Sequence, residues 1–161
     1  MIGFISSLFT RSEPAMSEAG TRDTPAIAAL HGASFRRGWS EQEVEGLLLD
    51  RHVITHRALI GTKLAGFIMS RLVADEAEIL SVAVARRQRG LGLARQLLNL
   101  HLRRLAGLGA RAVFLEVDEH NDPALRLYRR AGFNEVSRRP NYYPGHGGRA
   151  ADALVLRRDL S

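Results

Sequence analysis

Glu116 is the one charged residue in an otherwise apolar run, Ala112-Val113-Phe114-Leu115-Glu116-Val117. Read as a strand, the run puts Ala112, Phe114 and Glu116 on one face. The carboxylate then either meets water at the strand's open end or sits in a partly buried cleft. In the first case it is a solvated surface group. In the second, burial disfavours its charged form and makes it a better proton acceptor, suited to general-base work. Tyr128 offers a similar choice. It is either a core aromatic whose hydroxyl finds any partner, or a general acid. Upstream, Ser81-Val82-Ala83-Val84 feeds Ala85-Arg86-Arg87-Gln88-Arg89-Gly90-Leu91-Gly92-Leu93-Ala94 and then a helical run from Arg95 to Ala106. A strand passing through two glycines into a helix gathers free backbone N–H groups and the positive end of the helix dipole. This turn should hold a phosphate-bearing ligand.

Spacing narrows the ligand. A P-loop needs Gly-x-x-x-x-Gly-Lys-Ser/Thr, but Gly92 is followed by Leu93 and Ala94, so that reading fails. A dinucleotide turn would use Gly90 and Gly92 as its first two glycines, with Glu116 near the end of the next strand. Arg95 holds its third glycine position, however, and five residues part the strand from Gly90. Arg87-x-x-Gly90-x-Gly92 resembles instead the acetyl-CoA pyrophosphate loop of the GCN5-related N-acetyltransferase (GNAT) superfamily. Asn121-Asp122-Pro123-Ala124-Leu125-Arg126-Leu127-Tyr128-Arg129-Arg130-Ala131-Gly132-Phe133 resembles the N-x-x-A-x-x-L-Y-x-x-x-G-F signature of that superfamily. Arg139-Pro140-Asn141-Tyr142-Tyr143-Pro144, the closing strand Ala153-Leu154-Val155-Leu156, Phe35 and Trp39-Ser40 are similar to the ribosomal-protein-alanine N-acetyltransferase family, the RimI type. The match spans roughly residues 21 to 160.

The resemblance implies an α/β GNAT fold, a mixed central sheet flanked by helices on both faces, that uses acetyl-CoA as co-substrate. Acyl transfer from a thioester to an amine needs one proton taken from nitrogen and one given to sulfur. By resemblance Glu116 is the base and Tyr128 the acid. Backbone amides from Gln88 through Arg89, Gly90, Leu91, Gly92 and Leu93 to Ala94 would hold the pyrophosphate, with Arg87 and Arg89 adding charge. Val82, Ala83 and Val84 would pair strand-like with the pantetheine arm, and Asn121 either contacts that arm or serves as a turn and cap residue. Trp39, Tyr142 and Tyr143 become acceptor contacts, although Trp39 reads equally well as a core plug, and the two tyrosines sit on a loop stiffened by Pro140 and Pro144. The implied acceptor is the N-terminal α-amine of a protein, alanine of a small-subunit ribosomal protein. Two alternatives change the outcome: the same fold with a small-molecule amine or lysine side chain as acceptor, or a non-catalytic CoA- or RNA-binding module. Retention of both Glu116 and Tyr128 opposes the binding module, whose RNA affinity would fall steeply with salt.

Bulk properties fit one ordinary domain. The chain has 161 residues, 45% of them apolar and 25% charged, enough to bury a core without staples. Absence of cysteine excludes disulfides and thiolate chemistry and makes a reducing, cytoplasmic setting unremarkable. The net charge is +6, and all basic residues except Lys63 are arginine. They form no stripe interleaved with aromatics, so no direct nucleic-acid partner is expected. The six histidines show no ligand spacing, so no metal is expected. Ile2 to Phe9 is apolar but too short to span a bilayer and lacks signal features, so no membrane attachment is expected. Arg11 to Gly20 reads as a flexible leader, with Met16 an alternative start, and residues 21–161 as the domain.

These residues need elements to position them. Thr24-Pro25 opens a first helix, with Thr24 as cap, that ends near Phe35. Ser40 with Glu43 forms a capping box for a second helix to about Leu49. His56 to Ile60 and Leu64 to Leu72 make a hairpin about Gly61, and a strand follows from Ile79 to Val84. The helix after Gly92 stops at Gly107 to Gly109. Asp122 is expected to cap the helix that carries Tyr128, with Gly132 ending it in the left-handed conformation. Gly145 to Gly148, with His146, reads as a mobile flank of the tyrosine loop.

Overall fold

The structure, a computed structural model, describes residues 12–144 and 150–160. The Ile2–Phe9 run and the Gly145–Gly148 flank lie outside the described residues. Strands β1 (Ala15–Glu18), β2 (Val53–Ile60), β3 (Lys63–Val73), β4 (Glu76–Val84), β5 (Ala112–Asp118), β6 (Asn134–Tyr143) and β7 (Ala151–Asp159) form one mixed sheet in the order β1-β2-β3-β4-β5-β7-β6. Helices α1 (Thr24–Ser34) and α2 (Glu41–Leu49) cover one face; α3 (Leu93–Gly107) and α4 (Asp122–Arg130) cover the other. All strand pairs are antiparallel except β4–β5, which α3 joins by a parallel crossover.

The centre of the sheet explains the two layers of helices. Ala65-Gly66-Phe67-Ile68-Met69 on β3 is buried on both faces, as a run with no polar interruption must be. Ile68 packs in the α3–α4 layer with Leu97, Leu98 and Leu105, whereas Phe67 and Met69 pack under α1 and α2 with Ile27 and Val44. Fully burying Phe67 contributes roughly 1.5–3 kcal/mol. Gly66 sets the approach of α3: a Cβ there would lie 3.0 Å from the Leu97 side chain and 3.0 Å from the Ala83 carbonyl oxygen.

Several local expectations change. Residues 15–18, read as part of a leader, pair with the outer edge of β2, Met16 opposite Ala58. Thr24 does not cap α1. Asp23 holds that position while its carboxylate takes the Gly20 N–H and pairs with Arg57. Asp122 is not the cap of α4 either; the Asn121 side chain accepts the Ala124 N–H at 3.3 Å. The tyrosine segment is not a loop but the end of β6, reached past a bulge between Arg139 and Tyr143. The capping box of Ser40 and Glu43 is present as expected, and Gly132 has φ 89°. Among the described residues no helix is long and apolar enough to cross a membrane.

Candidate active site

The sheet opens where β4 and β5 part. Their parallel pairing covers only Glu76 to Glu78 against Ala112 to Phe114, after which β4 follows β3 and β5 follows β7. A register shift between Met69 and Ser70 bends β4 just beyond that point: Ser70 opposes Ile79, Met69 opposes Ser81, and Leu80 is left over. From Ile79 to Val84 one edge of β4 therefore lacks a strand partner on the β5 side. Two lobes meet in the opening, with volumes of about 890 and 1090 Å³, and both are lined by Phe35, Val82, Asn121, Ala124 and Tyr128.

The first lobe contains the glycine turn. Gly90 and Gly92 have φ 77° and 83°, and a Cβ at either would meet nothing within 4 Å. Backbone conformation, rather than space, demands glycine there. The first bond within α3 runs from the Gln96 N–H to the Gly92 carbonyl, and no side chain caps the helix. Leu93, Ala94 and Arg95 thus direct uncapped N–H groups toward the lobe. Val82, Ala83, Val84, Gln88, Arg89, Gly90, Leu91, Gly92, Leu93, Ala94 and Asn121 all line it. Arg89 also pins the turn, its Nε donating to the Val84 carbonyl at 3.0 Å. Arg87 does not line the lobe, although the pattern nominates it. Arg95 and Asn99 of α3, and Arg126 and Arg130 of α4, do line it, and sequence reading passed over them. Their signal was the i, i+4 spacing on each helix, which puts each pair on one face. Among the described residues none of these three arginines pairs with a carboxylate.

Glu116 and Tyr128 come from opposite faces of the sheet. Alternation places Glu116 away from Val113, Leu115 and Val117, which pack in the α3–α4 layer together with Tyr128. Glu116 lines the second lobe, and its side chain is 24% exposed, neither at a wet strand end nor deeply buried. Its Oε1 lies 3.1 Å from Nη2 of Arg139. Tyr128 lines both lobes and packs edge-on to Phe133 at 5.7 Å. Burial pushes its phenol up to about 12. At neutral pH the hydroxyl keeps its proton, and the same burial disfavours the phenolate that donation would leave.

Tyr143 lines the second lobe with Asp118, His120, Arg36 and Arg37. Burial first, and then the charges of Glu116, Tyr142 and Asp118, push its phenol up against the opposing effect of Arg139. Tyr142 stacks edge-on to Tyr143 at 5.1 Å but does not itself line the lobe. The bulge carrying both is tied down by Asp152, which accepts the N–H of left-handed Asn141 at 3.0 Å and pairs with Arg138. Arg36 closes the far side by donating to the Pro144 carbonyl. Trp39 lines neither lobe. It stacks on buried His31 at 4.0 Å, and its backbone N–H donates to Nδ1 of that ring. It is a plug over the α1–α2 core. The Ser81 hydroxyl, by contrast, lines the second lobe buried and without a hydrogen-bond partner.

A narrow, partly apolar opening with free strand edge, an uncapped helix start and arginines at one end fits an elongated ligand with a polyphosphate at that end. Among the described residues no group of three or more His, Cys, Asp or Glu side chains could hold a metal ion.

Comparison with known proteins leads to the same place. The model of the acetyltransferase (GNAT) family matches residues 24–133. The [ribosomal protein bS18]-alanine N-acetyltransferase of Escherichia coli K12 is 32% identical over 146 residues, which is 91% of this chain and 97% of that one. The Salmonella typhimurium enzyme of the same name is 31% identical over the same span. The crystal structure of the E. coli ribosomal-protein-S18-alanine N-acetyltransferase superposes with a TM-score of 0.86, covering 92% of this chain and 95% of that one at 30% identity. Arabidopsis thaliana NAA60 in complex with acetyl-CoA shares the fold, with a TM-score of 0.81 at 20% identity over 91% of this chain and 98% of that one. With the family model matched across most of the folded residues and relatives matched almost end to end, the chain belongs to the GNAT family of acetyltransferases.

Proposed function

We propose that this protein transfers the acetyl group of acetyl-CoA to the N-terminal α-amine of a protein, alanine of a small-subunit ribosomal protein. The observation that carries the reading is the opening between β4 and β5, where Tyr128 is common to both lobes and Glu116 lines the second. One lobe suits the cofactor and the other a peptide end, and the candidate acid stands between them. The names of the relatives, matched over nearly their whole length, support the ribosomal acceptor. The reaction belongs in the cytoplasm, where ribosomal proteins are made.

Acetyl-CoA, when bound, supplies an activated thioester. The N–H groups of the turn from Gln88 to Ala94 bind its pyrophosphate, with Arg95, Arg126 and Arg130 adding positive charge around it. The free edge of β4 at Val82 and Val84 orients the pantetheine arm. Glu116 holds the acceptor amine and takes its proton, directly or through a water, as nitrogen attacks the acetyl carbonyl. The substrate's α-ammonium sheds one proton to solvent with an ordinary pKa of about 8, which frees the lone pair, and Glu116 takes the second as the C–N bond forms. Tyr128 gives its proton to the departing sulfur. Isothermal calorimetry tests the foundation: acetyl-CoA should bind with one site per chain, and a protein indifferent to it would overturn the proposal.

A further inference from the structure

Glu116 does not wait with a bare carboxylate, and its partner is unusual. Arg139 lies on β6, two strands from Glu116 on β5, with β7 between them. Register puts Arg139 opposite Ala153 and Glu116 opposite Val155, so all four share one sheet face. The arginine thus crosses a whole strand, over the small Ala153, to reach Oε1 at 3.1 Å. Resting on the function proposed above, we infer that Arg139 is a displaceable cap on the acceptor subsite. Its guanidinium holds the place that the substrate's α-ammonium takes.

Three features make the cap movable. The Arg139 side chain is 57% exposed and Glu116 24%, so the cation is hydrated while the anion is partly enclosed. Pairs that exposed are worth little, and a competing cation can replace one member. Arg139 also has a second partner, since its Cζ lies 5.5 Å from the centre of the Tyr142 ring, and a guanidinium released from Glu116 retains that contact. The neighbouring residue shows what a fixed arginine looks like. Arg138 contacts Glu119, Glu135 and Asp152 at 3.0–3.2 Å and ties three carboxylates together. Among the described residues Arg139 has one carboxylate. Acceptor binding is then an exchange of one cation for another, and Glu116 is never left unpaired in a lobe that also contains Asp118.

The test is steady-state kinetics of Arg139→Gln with an alanine-starting peptide as the varied substrate. Loss of the competing cation should lower the peptide KM about 2–5-fold, the span expected for an exposed ion pair. The KM for acetyl-CoA should stay at its wild-type value, and Arg139→Lys should fall between the two proteins. The N-acetylated form of the same peptide, which has no ammonium, should inhibit wild type and Arg139→Gln equally. A change in that inhibition would mean that the substitution reshapes the lobe and would overturn the inference. So would a peptide KM that rises, which would make Arg139 a substrate contact, or one that does not change. Wild-type protein that acetylates no peptide would remove the parent reading and this one with it.

Discussion

In the proposed reaction Glu116 and Tyr128 would divide the proton work, and because they approach from opposite faces of one sheet each can be tested without disturbing the other. Glu116→Gln keeps shape and neutralises the base, and turnover should fall by about 10²–10⁴-fold with acetyl-CoA affinity retained. An unchanged rate would remove Glu116 from the mechanism. Tyr128→Phe should slow the reaction to a similar degree, and a wild-type rate would assign the hydroxyl to packing alone. The sequence nominates both, Glu116 as a lone charge in an apolar strand and Tyr128 by its place in a recognisable helix signature. Arg95, Arg126 and Arg130 were not legible, since arginine-rich surroundings give no contrast to any one of them. The ion pair of Arg139 with Glu116 could not be read at all. That contact spans β7, and only tertiary register reveals it. The sequence leaves Trp39 open between core plug and acceptor contact, because an aromatic next to a capping box looks the same in either place.

Strands and helices carry these side chains, Glu116 on β5 and Tyr128 on α4, while turns and caps set where those elements begin. Asn121 both caps α4 and lines the two lobes. Asn121→Ala should cost about 0.5–2 kcal/mol of stability through the lost cap, read by chemical denaturation. The same variant should raise the KM for acetyl-CoA, whereas an unaltered KM would make Asn121 a cap only. Gly92 initiates α3 at φ 83°, so Gly92→Trp introduces both a disfavoured conformation and a large side chain into the first lobe. Calorimetry should then show no cofactor binding, and normal affinity would place the pyrophosphate elsewhere. Helices with caps and strands with continuous apolar runs were readable, α2 and β3 most of all. β1 and β6 were not. β1 is four residues long and owes its existence to the edge of β2. β6 is exposed over nearly its whole length, so it has no apolar alternation to betray it.

For the whole molecule, stability should depend on pH through a buried histidine pair that lines neither lobe. His56 and His101 are buried between β2 and α3 with their Nδ1 atoms 2.7 Å apart, and His101 Nε2 lies 2.7 Å from Ser70 Oγ. One Nδ1 must carry the hydrogen and the other accept it, so the pair holds together only while one ring is neutral. Burial drives His101 down to about 3, helped by His56; burial also lowers His56, with Glu18 opposing and Arg104 assisting. In the unfolded chain both titrate near 6.5, so below that pH the unfolded state binds more protons. Stability should be full above about pH 6.5 and decline on acidification toward pH 3, His101 alone contributing up to about 1.4 kcal/mol per pH unit. Thermal melts between pH 7 and 5 should show the decline, and replacing both histidines with leucine should flatten it; equal slopes would place the sensitivity elsewhere. The same sheet parts between β4 and β5, and the proposed chemistry takes place in that opening. Intact-mass analysis after incubation with acetyl-CoA and peptides differing in their first four residues tests it most directly. Peptides beginning with alanine should gain the mass of one acetyl group at the α-amine, whereas a panel left unmodified, or labelled only on lysine side chains, would rule out α-amine acetylation.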